Sequence, residues 1–290
     1  MNKAYATSGK IFAQVSKRVS PGLVEQLDAV GKGEIVVVRG VHDHVETLLD
    51  TMKIPYTMIE SGSIKTHNGG RVMIVNCAPY ETGVPASAVS SFVENGGRLV
   101  TTDWALDFAA KSFPGKLYKT GTTGNDVVEV RCAHEVGRKL IGMNYAQCHP
   151  KWWLEGSSYV YKTGEGVIDL ITSNEMKDKY GQPHVAVGFT HGAGEVFHFI
   201  SHLELQRSRQ DKGKGKSTLE DFLKKMDVER TDEMEDASFA ELEAAYSTLN
   251  TLAYLCAPAP ILRSGSMSYL LRSGKESTKG LKKSTALLKE

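Results

Sequence analysis

The sequence predicts an α/β fold, an open and mostly parallel sheet with helices on both faces. Three observations predict it. Strand-like and helix-like segments alternate several times between Glu34 and Asp103, the signature of a parallel sheet. The strand-like runs, such as EIVVVRG (34–40), are continuously apolar and β-branched rather than alternating, as suits strands covered on both faces. The chain has 290 residues, 41% of them hydrophobic, which is long enough for one large α/β domain or two small ones.

Taken in order, residues 1–33 form an N-terminal helical segment, in which Ser20 is placed to cap a helix with Pro21 at its first position. The α/β domain spans 34–205. After EIVVVRG, the segment DHVETLLDTMKI carries Val45, Leu48, Leu49 and Met52 at helical spacing. PYTMIES and RVMIVNCA are two more strands. PASAVSSFVENGG is a helix, with Pro85 in its first turn and Gly96 and Gly97 at its end. RLVTTD is the next strand. Beyond Asp126 the pattern changes to short strands, VVEVRC, SSYVYK, VIDLITS, HVAVGFT and GEVFHFISH. Residues 206–217 read as a basic flexible loop, 218–260 as a helical extension packed on the domain, and 261–290 as a flexible basic tail.

The formal net charge of +1 gives no bulk attraction for nucleic acid or an anionic membrane. No apolar run approaches the roughly 20 residues of a membrane helix, and the N-terminus lacks the apolar core of a secretory signal. The four cysteines, Cys77, Cys132, Cys148 and Cys256, form no CxxC pair. A reduced, cytoplasmic protein is expected.

In an open parallel sheet, ligands bind at the carboxyl ends of the strands. Those ends nominate His42, Asp43, Asn76, Cys77, Asp103 and Trp104. Asp103 stands at the turn from a buried strand into a helix, in GGRLVTTDWALDF. Three roles are open to it there: a helix N-cap worth about 1 kcal/mol, a carboxylate contacting a ligand, or a covalent nucleophile.

The chain resembles the class I glutamine amidotransferase-like superfamily, including its ThuA-like branch. Three features carry the resemblance: the order of strand EIVVVRG, helix and strand RVMIVNCA; the block SFVENGGRLVTTDWA with its elbow; and the late strand GAGEVFHFISHLE, ending in His202 with Glu204 two residues on. The resemblance implies a flavodoxin-like, doubly wound, mostly parallel sheet, here with a helical C-terminal extension. In working members a Cys at the elbow, a His and an acid form a triad. The matching positions are Asp103, His202 and Glu204, so the nucleophile position departs. An aspartate cannot form the thioester, and glutaminase activity is not expected. The loop at Cys77 usually lends an oxyanion-hole N–H in this family. LVTTDWAL also resembles the elbow of haloalkane dehalogenases and epoxide hydrolases, where the nucleophile is an Asp. That resemblance implies a hydrolase using Asp103 with His202. Upstream, however, the HGxP-type loop is missing, and so is the helical cap segment after the elbow.

His198 and His202, if both lie on one strand, face the same way. With His42 and His44 they could approach one pocket, but no spacing resembles a zinc signature, and no metal is expected. CHPKWWLEGSSY holds Trp152 and Trp153; of two adjacent Trp residues on an extended segment, one can pack inward while the other lines a cleft. GTTGNDVV is no P-loop and VRGVHD lacks GxGxxG, so no cofactor is expected. The reading is therefore a non-glutaminase member that binds a small polar ligand or partner protein at the strand ends, with Trp152 and His198 among the lining residues. A homo-oligomer is compatible with this; nucleic acid and membrane are not expected partners. A ThuA-like carbohydrate-acting enzyme is the further alternative.

Overall fold

Ile35–Val38 form β1, and all four residues are buried. An IVVV run has no polar face to offer water, so it settles in the middle of a sheet covered on both sides. The computed structural model describes residues 2–66, 70–77, 86–142, 149–204 and 218–262. Ahead of β1 lie α1 (Asn2–Val19) and α2 (Pro21–Asp28). After it come α3 (Val45–Met52), β2 (Thr57–Ile59), β3 (Val72–Val75), α4 (Ala86–Glu94), β4 (Arg98–Thr102) and α5 (Leu106–Ser112). The second half supplies β5 (Leu117–Thr122), β6 (Asp126–Glu129), β7 (Arg131–Cys132), α6 (Glu135–Ile141), β8 (Lys151–Leu154) and β9 (Tyr159–Thr163). It continues with β10 (Ile168–Thr172), α7 (Asn174–Tyr180), β11 (His184–His191), β12 (Gly194–Phe199), α8 (Leu219–Met226) and α9 (Phe239–Cys256).

The main sheet runs β2-β1-β3-β4-β12-β11-β10-β7. Every neighbour pair from β2 to β12 is parallel. Those five strands have the flavodoxin-like 2-1-3-4-5 order. β11, β10 and β7 continue the sheet antiparallel. Two small ribbons, β5–β9 and β6–β8, complete the strands. Register decides where the site lies. Val38 is opposite Val75, Val75 opposite Thr101, and Thr102 opposite Phe199. The carboxyl ends of β1, β3, β4 and β12 therefore finish side by side.

Two glycines fix the opposite end. Gly96 closes α4 in the left-handed region (φ +102). A Cβ on Gly194 would come within 2.2 Å of the Gly97 and Val93 carbonyl oxygens, so only glycine lets β12 start there. Nearby, the buried Arg98 guanidinium meets Glu195 at 2.9 Å. It also donates to the carbonyls of Leu255, Ala257 and Ala259. Glu195 in turn accepts the N–H groups of Ile261 and Leu262 at 2.8 and 2.6 Å. One ion pair thus ties the chain beyond α9 to the start of β4 and β12.

The structure departs from the sequence reading in two places. The strand expected to run through GEVFHFISH ends at Phe199, so His202 lies in the following segment and its side chain is not bound to the strand's alternation. The tail expected from 261 begins with two buried residues, Ile261 and Leu262, held by Glu195; residues 263–290 lie outside the described residues. α9 lies within the segment expected to pack on the domain: thirteen of its 18 residues are buried, and it packs against α1, α6 and α8. Its Ser and Thr hydroxyls stay satisfied by their own helix, as in Thr251 Oγ1 to Ser247 O at 2.8 Å. Pro85 and the basic loop of 206–217 are outside the described residues. Among the described residues, no helix is long and apolar enough to cross a membrane.

Candidate functional site

Asp103 leaves β4 with φ 44, in the left-handed region that non-glycine residues seldom occupy. Asp is among the few side chains that tolerate it. This is a strained strand-to-helix elbow, and backbone strain of this kind gathers at functional positions. The carboxylate does not cap the helix. Instead Oδ2 accepts the Ser158 hydroxyl and Oδ1 accepts the Tyr159 N–H, both at 2.9 Å. The elbow is thereby stapled to the start of β9.

His202 comes from the segment after β12, beside the elbow. Its Nε2 lies 3.4 Å from Asp103 Oδ2, and its Nδ1 lies 3.4 Å from Glu155 Oε2. Both contacts are at ion-pair range, and neither has the alignment of a directed hydrogen bond. Burial works against the imidazolium, but Asp103, Cys77 and the Asp43 charge outweigh it and hold His202 well above the ordinary histidine range. Cys77, just past β3, completes the group: one ligand-capable atom each from Cys77, Asp103 and His202 lie within 4.8 Å of one another, all buried. Burial pushes the Cys77 thiol up, and the neighbouring His202 only partly offsets this.

The Cys77 backbone is held by a close approach. A Cβ on Gly40 would stand 2.3 Å from the Cys77 carbonyl oxygen, and that same oxygen accepts the N–H groups of Val41 and His42 at 3.0 and 3.4 Å. Asp43 lies behind His202, fully buried. Its Oδ1 accepts the N–H groups of His44 at 2.9 Å and Glu204 at 3.4 Å. Burial raises its carboxyl above the usual range, against the pull of His202. Asn76 is also buried and donates to Glu46 at 2.9 Å. Over the elbow, His42 meets the edge of Trp104, and Trp104 stacks on Tyr159 at 5.6 Å. Trp104 Nε1 donates to Ser157 O at 2.7 Å, and Lys119 Nζ lies 3.0 Å from the centre of the Tyr159 ring.

The structure therefore brings together Asp103, His202, Cys77 and Asp43, with Asn76, His42 and Trp104 around them. Glu204 contributes its backbone N–H to Asp43; the acid facing His202 Nδ1 is Glu155. His198 and Trp152 belong elsewhere. His198 shares a 2.9 Å hydrogen bond with Thr101 and meets the edge of Tyr161; burial lowers its pKa to about 3. Trp152 is a core residue whose Nε1 donates to Ser247 on α9 at 2.9 Å. Sequence reasoning missed Glu155, Ser158 and Tyr159 in these roles. Only their position after the paired tryptophans could have pointed to them.

No protein-family profile and no curated protein matches the chain. Among solved structures it is similar to a glutamine amidotransferase from Methylobacillus flagellatus, at 12% identity and TM-score 0.46, over 78% of this chain and 93% of that one. It is similar to a ThuA-like protein from Bacteroides uniformis, at 13% identity and TM-score 0.43, over 58% and 80%. It is also similar to a β-galactosidase from Rahnella sp. R3, at 14% identity and TM-score 0.44, over 59% of this chain and only 29% of that one. The five parallel strands in flavodoxin-like order define the fold class: a flavodoxin-like α/β sheet, continued antiparallel on one side.

Proposed function

We propose that the chain is a non-glutaminase domain of amidotransferase-like fold that binds a small polar ligand at the carboxyl ends of β1, β3, β4 and β12. One observation carries this reading. Asp103 keeps the strained elbow backbone, yet both its oxygens are engaged, by Ser158 and Tyr159, and its side chain is 3% exposed. A nucleophile has to be open to an incoming carbon. A carboxylate this buried, with one donor fixed on each oxygen, is placed to hold its surroundings. The same engagement counts against a hydrolase that uses Asp103 with His202. Half-buried Trp104 stands over the elbow, stacked on a Tyr159 ring that Lys119 also covers, and an indole face suits the ring of a sugar or similar polar molecule.

The test is a thermal-shift and tryptophan-fluorescence screen of sugars, polyols, amino acids and small carboxylates against the full chain. The reading expects a ligand that raises the Tm and perturbs emission, with both effects lost in Trp104→Ala. Ligands whose binding ignores both Trp104→Ala and Asp103→Asn would contradict it.

A further inference from the structure

We propose that Cys77 Sγ, Asp103 Oδ2 and His202 Nε2 form a binding site for a tetrahedral divalent transition-metal ion, with Zn²⁺ the best fit to this ligand set. The proposal goes beyond the ligand-binding reading above and stands on its own geometry.

Four observations carry it. The three candidate ligand atoms converge within 4.8 Å from three different strand ends, all buried. His202 Nε2 is buried without a hydrogen-bond partner among the described residues, an arrangement that buried polar atoms normally avoid. Its 3.4 Å separation from Asp103 Oδ2 is misaligned for a hydrogen bond. That separation does suit a coordination edge: bonds of about 2.0–2.2 Å at a tetrahedral angle set N and O roughly 3.3–3.5 Å apart. Lastly, the surroundings resemble the outer shell of a metal site. Glu155 faces His202 Nδ1 at 3.4 Å, as the carboxylate behind a metal-bound histidine does. Ser158 and the Tyr159 N–H hold the Asp103 carboxylate in place.

Charge and softness choose the ion. A thiolate and a carboxylate offset a 2+ charge at a buried site, and the imidazole binds neutral. A mixed S, N and O set favours Zn²⁺ over Mg²⁺ or Ca²⁺, which take oxygen ligands. Three protein ligands leave the fourth tetrahedral position for water or a ligand oxygen.

The test uses the full chain, stripped with a chelator and titrated with Zn²⁺ by calorimetry. One Zn²⁺ per chain is expected. Cys77→Ser and His202→Gln should each weaken binding by more than about 100-fold, and Glu155→Gln by about 10–100-fold. Cys132→Ser, on β7, should bind like the wild type. Unchanged affinity in both Cys77→Ser and His202→Gln would overturn the proposal. If those variants fail to fold, the wild type decides. Added Zn²⁺ should slow maleimide labelling of Cys77, mapped by peptide mass, without slowing that of Cys132; equal labelling of Cys77 with and without Zn²⁺ overturns it. Neither failure touches the non-glutaminase reading, which is read from ammonia release.

Discussion

His202 Nε2 stands 3.4 Å from Asp103 Oδ2, with the two side chains 2% and 3% exposed. The pair joins the end of β4 to the segment after β12, two strands that lie side by side although nearly a hundred residues separate them in sequence. Everything expected of the site follows from the closeness of these two groups and from what else holds them.

Asp103 anchors its surroundings through two accepted hydrogen bonds and one charge. In the metal-stripped chain, Asp103→Ala removes one of the carboxylates beside buried His202 and both acceptors of Ser158 and Tyr159, and should cost about 3–5 kcal/mol. Asp103→Asn gives up the same charge but keeps one acceptor oxygen and a side chain tolerant of φ 44, and should cost about 1 kcal/mol less. Chemical denaturation distinguishes them. Equal costs would mean that the carboxylate does not hold Ser158 and Tyr159.

The Arg98–Glu195 pair should govern the docking of the chain beyond α9. Removing one partner of so buried a pair leaves an unpaired charge, at a cost of about 3–5 kcal/mol. Arg98→Ala is therefore expected to lower the denaturation midpoint sharply. A chain ending at Pro260 loses both N–H donors to Glu195 and should be clearly weaker than one ending at Leu262.

His198 gives a pH dependence with a defined sign. Burial lowers its pKa to about 3 in the folded state, against about 6.5 unfolded. The unfolded chain therefore binds the extra proton first, and the stability contributed by neutral His198 is complete above pH 6.5. It is lost as pH falls through the window towards 3, amounting to about 2 kcal/mol by pH 5. His198→Gln should flatten that part of the stability profile relative to the wild type. Parallel profiles would contradict the burial of a neutral imidazole.

Thiol reactivity should follow burial. Cys256 is buried and its thiol is pushed up to about 12, and burial also raises the Cys77 thiol. Cys132 is half-buried. In the metal-stripped, folded chain, peptide mapping after brief alkylation should find Cys132 labelled ahead of Cys77 and Cys256. Fast labelling of Cys77 would indicate an accessible thiolate beside His202.

The parallel core was legible because each buried strand is a short β-branched run and each helix carries its own period. Strand ends then pointed to Asp43, Cys77 and Asp103 together. What escaped was set by contacts distant in sequence. Glu155 reaches His202 from the far end of β8, and no spacing records that. Trp152 was misplaced as a cleft residue because alternation assumes one wet face. Both faces of β8 are covered, leaving Trp152 and Trp153 at 0% and 4% exposure. The convergence of Cys77, Asp103 and His202 carries no local motif, since each residue comes from a different strand end.

The proposed role of Asp103, an anchor of the elbow and no nucleophile, makes the chain a non-glutaminase. Ammonia release from glutamine by the purified full chain tests it most directly. No release above the protein-free rate is expected, for the wild type and for Asp103→Asn alike. Release by the wild type that disappears in Cys77→Ala would contradict this and would make Cys77 the nucleophile.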